Sequence, residues 1–360
     1  LNDYLNGLQD GISDNDWAKA DAALAELKNY QRATSAAILP SENRVKAEVF
    51  YNKASVFKKL VYCYMILGGV ALILALLGAL CGKRFALAQK ILFAAFATSF
   101  AAHTLALALR WYVAAHAPWS DSYESMVYIG WSAALAGIIF FRKSLLTLSA
   151  SCLLASIVML VAHMSFVNPQ ITNLVPVLKS YWLSIHVSVI TASYGFLGLS
   201  CLLGLLALVL MALKNGANRE RLNAQIRYIT AINEISLIVG LSMLTLGNFF
   251  GGVWANESWG RYWGWDSKET WSYVSIIVYA IVLHLKFIPK LGSIYVYCVS
   301  STLAYSSIIM TYFGVNFYLT GMHSYAAGDA PQIPAPFYCI IAAIILIIAL
   351  AFRGRDVKTI

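Results

Sequence analysis

Charged residues are scarce in this chain, and their scarcity excludes a soluble globular protein. Of its 360 residues, only 12% are Asp, Glu, Lys or Arg, whereas 60% are hydrophobic. A soluble domain carries about 25% charged residues because its surface must be hydrated. A membrane-spanning helix instead needs roughly 20 predominantly apolar residues, and this chain contains such stretches repeatedly. The composition therefore predicts an all-α polytopic membrane protein.

Closely spaced cysteines are also absent. The six cysteines lie within or beside apolar stretches, and no two form a Cys-Xaa-Xaa-Cys pair: Cys63, Cys81, Cys152, Cys201, Cys298 and Cys339. This spacing supports neither a disulfide framework nor a thiolate metal site nor a thioredoxin-like motif. The Cys-Xaa-Xaa-Cys-His motif of covalent haem attachment is missing, so the chain is not itself a c-type cytochrome. The cysteines are interpreted as small buried hydrophobic residues.

Nine apolar stretches predict about nine transmembrane helices, at about 60–80, 91–109, 124–141, 144–164, 183–213, 229–248, 271–288, 291–316 and 336–352. Residues 1–58 are polar and form an extracytoplasmic segment. Because the chain starts at Leu1 with neither methionine nor a signal peptide, this segment is interpreted as the tail of a preceding domain. Residues 59–353 form the transmembrane domain, and residues 354–360 form a cytoplasmic tail.

The basic residues predict the orientation. The formal net charge of +9 does not indicate nucleic-acid binding, because the basic residues cluster in loops beside membrane lipid. One set of loops holds Lys83, Arg84, Lys90, Arg142, Lys143, Lys214, Arg219, Arg221, Arg227, Lys286, Lys290, Arg353, Arg355 and Lys358. The other set, between spans, holds only Arg110, Lys179, Arg261 and Lys268. Basic loops remain in the cytoplasm, so the N-terminus is expected outside and the C-terminus inside.

The segment that indicates function is residues 247–273, GNFFGGVWANESWGRYWGWDSKETWSY, here named the Trp-rich segment. It contains half of the ten tryptophans of the chain: Trp254, Trp259, Trp263, Trp265 and Trp271. The alternative is an interfacial aromatic belt, but a belt spreads its tryptophans over many helix ends and needs no interleaved glycines and charges. Closely spaced indole rings suit a large planar apolar ligand, and Arg261 and Lys268 offer cations to its carboxylates. Spacing alone does not prove a porphyrin.

The run WGRYWGWDSKETWSY resembles the tryptophan-rich "WWD" signature of the haem-handling membrane proteins of cytochrome c biogenesis. The resemblance extends over about 60–352 and includes RWYVAAHAPWSDSYES at 110–125 and GVNFYLTGMHSYA at 314–326. Together these segments look most like the CcsA type, as the C-terminal part of a fused CcsBA cytochrome c synthase. The resemblance implies haem b as cofactor, c-type apocytochromes as partners, and a bacterial cytoplasmic (inner) membrane location. It also implies that Trp254, Trp259, Trp263, Trp265, Asp266, Arg261 and Lys268 contribute to haem binding at the outer face.

Histidine ligates haem iron, and the chain has six histidines. His186 and His323 flank the Trp-rich segment on the outer side and match the two histidines that ligate the outer haem in this family. His284 lies 13 residues into the seventh predicted span, roughly 20 Å from its outer end. The resemblance implies a second, buried haem site with His284 as one ligand and a CcsB-like part as the source of the other. The roles of His103 and His116 stay open, and His163 lies at an outer helix end.

The expected function is to bind haem within the membrane and at its outer face, and to present it for covalent attachment to Cys-Xaa-Xaa-Cys-His of apocytochromes. This interpretation leans toward a haem lyase acting with a CcsB part. No catalytic acid or base stands out; Asp266 and Glu269 are candidates that are better explained as orienting Arg261 and Lys268. One alternative is a haem transporter or chaperone that delivers haem to a separate lyase. Another, less favoured, is a b-type electron carrier.

Overall fold

The computed structural model describes the chain except residues 37, 142–143, 165–166, 174–179, 320, 322–331 and 358–360. The described residues form helices and no strand. The helices are α1 (Asn2–Asp14), α2 (Ala18–Ser35), α3 (Glu42–Ala54), α4 (Val56–Cys81), α5 (Ala86–Ala114), α6 (Ser122–Phe140), α7 (Leu145–Ala162), α8 (Tyr181–Ala212), α9 (Arg219–Trp259), α10 (Ser267–His284), α11 (Ile294–Ile309), α12 (Val315–Tyr318) and α13 (Ala335–Ala351). A π-helical turn, Met310–Gly314, joins α11 to α12.

The chain divides into two units, Leu1–Ala54 and Ser55–Ile360. In the first, α1 and α2 pack as a hairpin because two glycines of α1 leave room for α2. A Cβ on Gly7 would lie 2.7 Å from the backbone nitrogen of Ala20, and one on Gly11 would lie 2.6 Å from the Trp17 ring. The division falls four residues before the boundary predicted at 58–59.

The prediction of an all-α polytopic membrane protein is confirmed. Within the described residues, nine helical segments are long and apolar enough to cross a bilayer. They are Glu42–Cys81, Ala86–Ala114, Ser122–Phe140, Leu145–Ala162, Tyr181–Ala212, Arg219–Trp259, Ser267–Phe287, Ile294–Tyr318 and Ala335–Gly354. Each contains most or all of one predicted span, in the same order along the chain.

The sixth membrane-spanning helix, α9, is much longer than the span predicted at 229–248. Helix α9 has 41 residues, which is about 60 Å at 1.5 Å per residue and exceeds a bilayer of about 45 Å with headgroups. The first half of the Trp-rich segment, through Trp259, is therefore helical. Glycine is a weak helix former, so the glycines at 247, 251 and 252 favoured an earlier end of this helix. Packing against a neighbouring helix overrides that preference.

That neighbour is α8, and glycines at 240, 247 and 251 form the contact face of α9. Spacings of seven and four residues put them on one side of a helix. A Cβ on Gly240 would lie 2.7 Å from Leu197, one on Gly247 would overlap Ile190, and one on Gly251 would lie 2.5 Å from His186 Cε1. Small residues let membrane helices approach closely, so that van der Waals contacts and polar bonds hold them together.

Polar side chains add to the contact between α8, α9 and α11. The hydroxyl of Ser200 donates to Oδ1 of Asn233 at 2.5 Å, and Nδ2 of Asn233 donates to Ser301 Oγ at 3.0 Å. All three residues are fully buried. Interhelical hydrogen bonds of this kind contribute about 0.6 kcal/mol each in membrane proteins. They fix the register of α8, α9 and α11, and α8 and α9 carry part of the functional site.

Candidate functional site

A cavity of about 450 Å³ opens where α6, α8, α9 and α10 meet at one face of the transmembrane unit. This volume lies within the range of small-molecule sites, about 300–1,000 Å³. The described residues that line it include two Trp-rich segment tryptophans, Trp254 and Trp263, together with His186 and Lys268. The tertiary structure thus brings together four of the residues predicted from the sequence, which come from three different helices and one connecting loop.

His186 lies in the second turn of α8 and is held by the backbone of α9. Its Nδ1 bonds to the carbonyl oxygen of Gly247 at 2.7 Å, and its ring lies against Gly251. Because a carbonyl only accepts, Nδ1 must carry the proton. In the neutral ring the lone pair then lies on Nε2. A hydrogen bond of this kind orients an imidazole and raises its basicity as a ligand.

The tryptophans form an edge-to-face cluster. The ring centroids of Trp254 and Trp259 are 4.7 Å apart at 65°, and those of Trp263 and Trp265 are 5.7 Å apart at 84°. One member of each pair, Trp254 or Trp263, lines the cavity. Trp259 and Trp265 are not among its described lining residues, and each contacts the lining tryptophan of its pair. The indole N–H of Trp263 is buried and has no acceptor among the described residues.

The connection between α9 and α10 is held by hydrogen bonds from backbone N–H groups to the carboxylates of Asp266 and Glu269. Gly260, with φ 70°, ends α9. Asp266 caps α10, because its carboxylate accepts a hydrogen bond from the Glu269 N–H at 2.9 Å. In return, Oε2 of Glu269 accepts one hydrogen bond from the Asp266 N–H at 3.4 Å and another from the Gly264 N–H at 2.7 Å. This is a capping box. Asp266 and Glu269 therefore shape the turn, and their expected role in orienting Arg261 and Lys268 stays a prediction.

The two expected cations take different positions. Lys268 lines the cavity, and its Nζ donates to Oδ1 of Asn316 at 2.9 Å. The guanidinium of Arg261 lies directly over Gly264, where any Cβ would overlap it, and Arg261 is not among the described lining residues. Lys268 is therefore the cation of the predicted pair that faces the cavity.

The loop between α5 and α6, part of the resembling segment 110–125, lines the cavity through Trp119, Ser120 and Asp121, which were not predicted as site residues. The indole N–H of Trp119 donates to the carbonyl of Ser184 at 3.0 Å, two residues before His186. Asp121 accepts from the N–H of Glu124 at 2.7 Å and caps α6. The spacing Asp-Xaa-Xaa-Glu is typical of a helix start. The sequence therefore indicates that Asp121 caps a helix, but it does not indicate that Asp121 lines a cavity.

This loop is anchored by a buried ion pair. Nε of Arg110 donates to Oε1 of Glu124 at 2.8 Å, and both residues are fully buried. Oε2 of Glu124 accepts from the N–H of Ser120 at 3.0 Å, and Arg110 also donates to the Pro169 carbonyl at 3.0 Å. The pair therefore fixes the backbone from which Trp119 projects. Arg110, counted above among loop residues, is instead enclosed at the end of α5.

Of the two other predicted histidine ligands, the structure describes His284. His323 lies outside the described residues. His284 is the last residue of α10, and its exposed ring bonds through Nδ1 to the Ala280 carbonyl at 2.7 Å. Because α10 starts at Ser267, His284 lies 17 residues, about 26 Å, from the start of the helix. This is deeper than the roughly 20 Å predicted from a span starting at 271.

The three remaining histidines have structural contacts. His103 is fully buried in the first helices of the unit, with Nδ1 3.4 Å from the Tyr64 hydroxyl. Nδ1 of His163 bonds to the Met159 carbonyl at 2.7 Å. His116 lies in the α5–α6 loop with Nδ1 3.7 Å from Glu124. None of them is among the described residues of the cavity wall.

These features define a polytopic membrane protein with an aromatic-walled ligand cavity at one face. The sequence profile described as "Cytochrome C assembly protein" matches residues 119–323. The matched region begins at Trp119 in the α5–α6 loop and covers the Trp-rich segment. The chain belongs to the cytochrome c assembly protein family, as a CcsA-type haem-handling protein with a role in cytochrome c biogenesis.

Individual relatives agree with this assignment. Protein NrfI of Wolinella succinogenes is 48% identical over 326 residues, which are 89% of this chain but 36% of NrfI. The cytochrome c biogenesis protein CcsA of Prochlorococcus marinus MIT 9301 is 32% identical over 248 residues, 62% of this chain and 80% of that protein. CcsA of Chlamydomonas reinhardtii is 34% identical over 232 residues, 61% of this chain and 64% of that protein. The chain thus spans about a third of the length of NrfI and most of the Prochlorococcus CcsA.

Proposed function

We propose that the cavity binds haem b and presents it to c-type apocytochromes for covalent attachment. The observation that carries this proposal is the position of His186. Its ring is fixed by Gly247 in the tautomer whose Nε2 can ligate iron, in the same cavity as Trp254 and Trp263. The family supports a role in cytochrome c biogenesis, and this geometry supports haem as the cargo of the cavity.

The described residues suit a porphyrin in three respects. Indole rings offer flat apolar faces. Gly251 and Gly252 let the α9 backbone approach a planar ligand. Lys268 and the buried N–H of Trp263, which has no acceptor among the described residues, offer one cationic and one neutral donor for propionate oxygens. With His186 as one axial ligand, His323 would supply the other.

We propose a second haem position near the opposite face, with His284 as one ligand. Support comes from the exposure of His284 on the surface of the unit, with Nδ1 bonded to Ala280 and Nε2 left as the ligating nitrogen. A CcsB-like part or subunit would supply the other ligand. Haem would then move from this position to the cavity.

The proposed orientation puts the cavity on the outer side of a bacterial cytoplasmic membrane. The N-terminal unit would lie outside and the C-terminus in the cytoplasm. The basic residues support this orientation, since Lys214, Arg219, Arg221 and Lys286 lie at the helix ends remote from the cavity. The apocytochrome would therefore be attached after its export.

Co-expression with a reporter apocytochrome tests the proposal. The chain is produced with and without a CcsB-like partner in cells that lack their own assembly proteins, and covalent haem on the reporter is measured. We expect attachment with the partner present, and haem that copurifies with the chain. Haem on the chain without attachment would favour the alternative of a haem transporter that serves a separate lyase. A chain that binds no haem and attaches none would refute the proposal.

A further inference from the structure

Asp121 is the cavity residue whose chemistry the proposed function has not yet used. It lies in the α5–α6 loop beside Trp119 and Ser120, all three on the cavity wall. Its side chain is 29% exposed, so it is enclosed by protein and still open to the cavity. The cavity wall therefore includes the carboxylate of Asp121, which lies outside the Trp-rich segment.

The surroundings of Asp121 favour an exchangeable proton. Burial, together with repulsion from Glu124, raises the pKa of Asp121 to about 6, although Arg110 and His116 lower it in part. Oδ2 lies 3.7 Å from the Arg110 guanidinium, while Oδ1 accepts the Glu124 N–H. Both protonation states are thus populated near neutral pH, as a general acid–base group requires.

The other ionisable groups that line the cavity, among the described residues, are committed to fixed contacts. Glu269 accepts from two backbone N–H groups of the capping box. Lys268 donates to Asn316, and His186 donates to Gly247. A phenol in water has a pKa of about 10, so the lining tyrosines, such as Tyr312, are not suited to proton exchange at neutral pH. Asp121 has its fixed hydrogen bond at Oδ1, so its Oδ2 is the candidate oxygen for proton exchange.

We propose, on the basis of the function proposed above, that Asp121 is the general acid–base residue for adding the apocytochrome thiols to the haem vinyl groups. Its carboxylic acid donates a proton to the β-carbon of the vinyl group. The cysteine sulfur bonds to the α-carbon, and the thiol proton passes to the Asp121 carboxylate. The C=C bond becomes a single bond and a C–S bond forms. No net electron is gained or lost, and Asp121 ends in its starting state.

A purely structural role as helix cap is the competing explanation, and Asp121→Asn separates the two. Asparagine caps helices about as well as aspartate, so the loop and haem binding should be retained. General acid–base catalysis contributes about 10²-fold or more, so attachment should slow by about that factor. Glu220→Gln is the control, since Glu220 is an exposed carboxylate in the first turn of α9, at the end of that helix remote from the cavity, and is not among the described cavity residues.

The experiment uses the full chain, with a CcsB-like partner if attachment requires one, loaded with haem and mixed with a synthetic Cys-Xaa-Xaa-Cys-His peptide. The rate of thioether formation is measured as a function of pH. The wild-type rate should fall as pH rises through about 6, because the acid form is lost. Asp121→Asn should be slow at every pH with haem occupancy unchanged.

Each other outcome overturns the inference. An unchanged rate and pH profile in Asp121→Asn would exclude proton transfer by Asp121 and leave the proposed function intact. Loss of bound haem in that variant would assign Asp121 a structural role instead. A wild-type protein that binds haem but forms no thioether would refute the synthase function, and this inference with it.

Discussion

His186 and Gly247 are joined by a hydrogen bond of 2.7 Å from the imidazole Nδ1 to the backbone carbonyl. The bond connects the second turn of α8 to Gly247, near the end of the span predicted at 229–248. The continued helix brings Gly251, one turn later, against the same ring. The orientation of the proposed iron ligand therefore depends on two glycines of another helix.

Replacing His186 should abolish covalent haem attachment, because Nε2 of this ring is the proposed axial ligand. In His186→Ala, added imidazole should restore part of the attachment by filling the vacated position on the iron. His323→Ala should behave in the same way. Holocytochrome yield in cells, with and without imidazole, measures both effects. Wild-type holocytochrome yields from both variants would show that His186 and His323 are not the haem iron ligands.

Gly251→Ala should displace the His186 ring without removing it. The new Cβ would lie 2.5 Å from Cε1 of His186, and overpacking of this kind costs about 1–3 kcal/mol. Haem occupancy should therefore fall while the protein still folds. Gly69→Ala is the control, because a Cβ at Gly69 meets nothing within 4 Å. Equal haem content in both variants would argue against a precisely held His186.

Trp263→Ala should lower the haem that copurifies with the chain more than Trp265→Ala does. Trp263 lines the cavity, whereas Trp265 is 68% exposed and contacts the edge of Trp263. Loss of one aromatic contact is worth about 1 kcal/mol, or about fivefold in affinity. Trp131→Ala is the control, since Trp131 bonds to Thr104 away from the cavity. Full haem content in Trp263→Ala would support the alternative that the Trp-rich segment is an interfacial aromatic belt.

His284→Ala should deplete haem in the cavity although the cavity residues are intact, because His284 is proposed to hold haem before its transfer. The control is Lys286→Ala, which lies near the same helix end and pairs with Glu234. Haem per chain is measured by absorbance after purification. If cavity haem is the same in both variants, the route from the His284 position is wrong.

Arg110→Ala should destabilise the transmembrane unit strongly. Removing one partner of a buried ion pair costs about 3–5 kcal/mol, because the remaining Glu124 charge stays enclosed without its partner. Thermal unfolding in detergent measures the loss. Arg32→Ala, which breaks an exposed ion pair with Glu42, should change stability little. Similar unfolding temperatures for both variants would contradict the structural role of Arg110.

The sequence by itself determined the class of the protein and the order of its membrane helices. Long apolar stretches can satisfy their backbone groups in a bilayer only as helices, so the nine spans found among the described residues followed from the positions of these stretches. The Trp-rich segment was also evident, because its density of tryptophans does not depend on tertiary contacts. The predicted outer histidine His186 lies on the cavity with that segment.

The tertiary structure decided which of these residues share one cavity and how they are held. Helix α9 continues to Trp259 because its glycines pack against α8, a long-range contact that outweighs their low helix propensity. The same packing brings Lys268 onto the cavity wall, while Arg261 lies over Gly264. The position of Asp121 depends on the buried pair of Arg110 and Glu124. Local patterns could not reveal these positions, since they arise from contacts between helices distant in the chain.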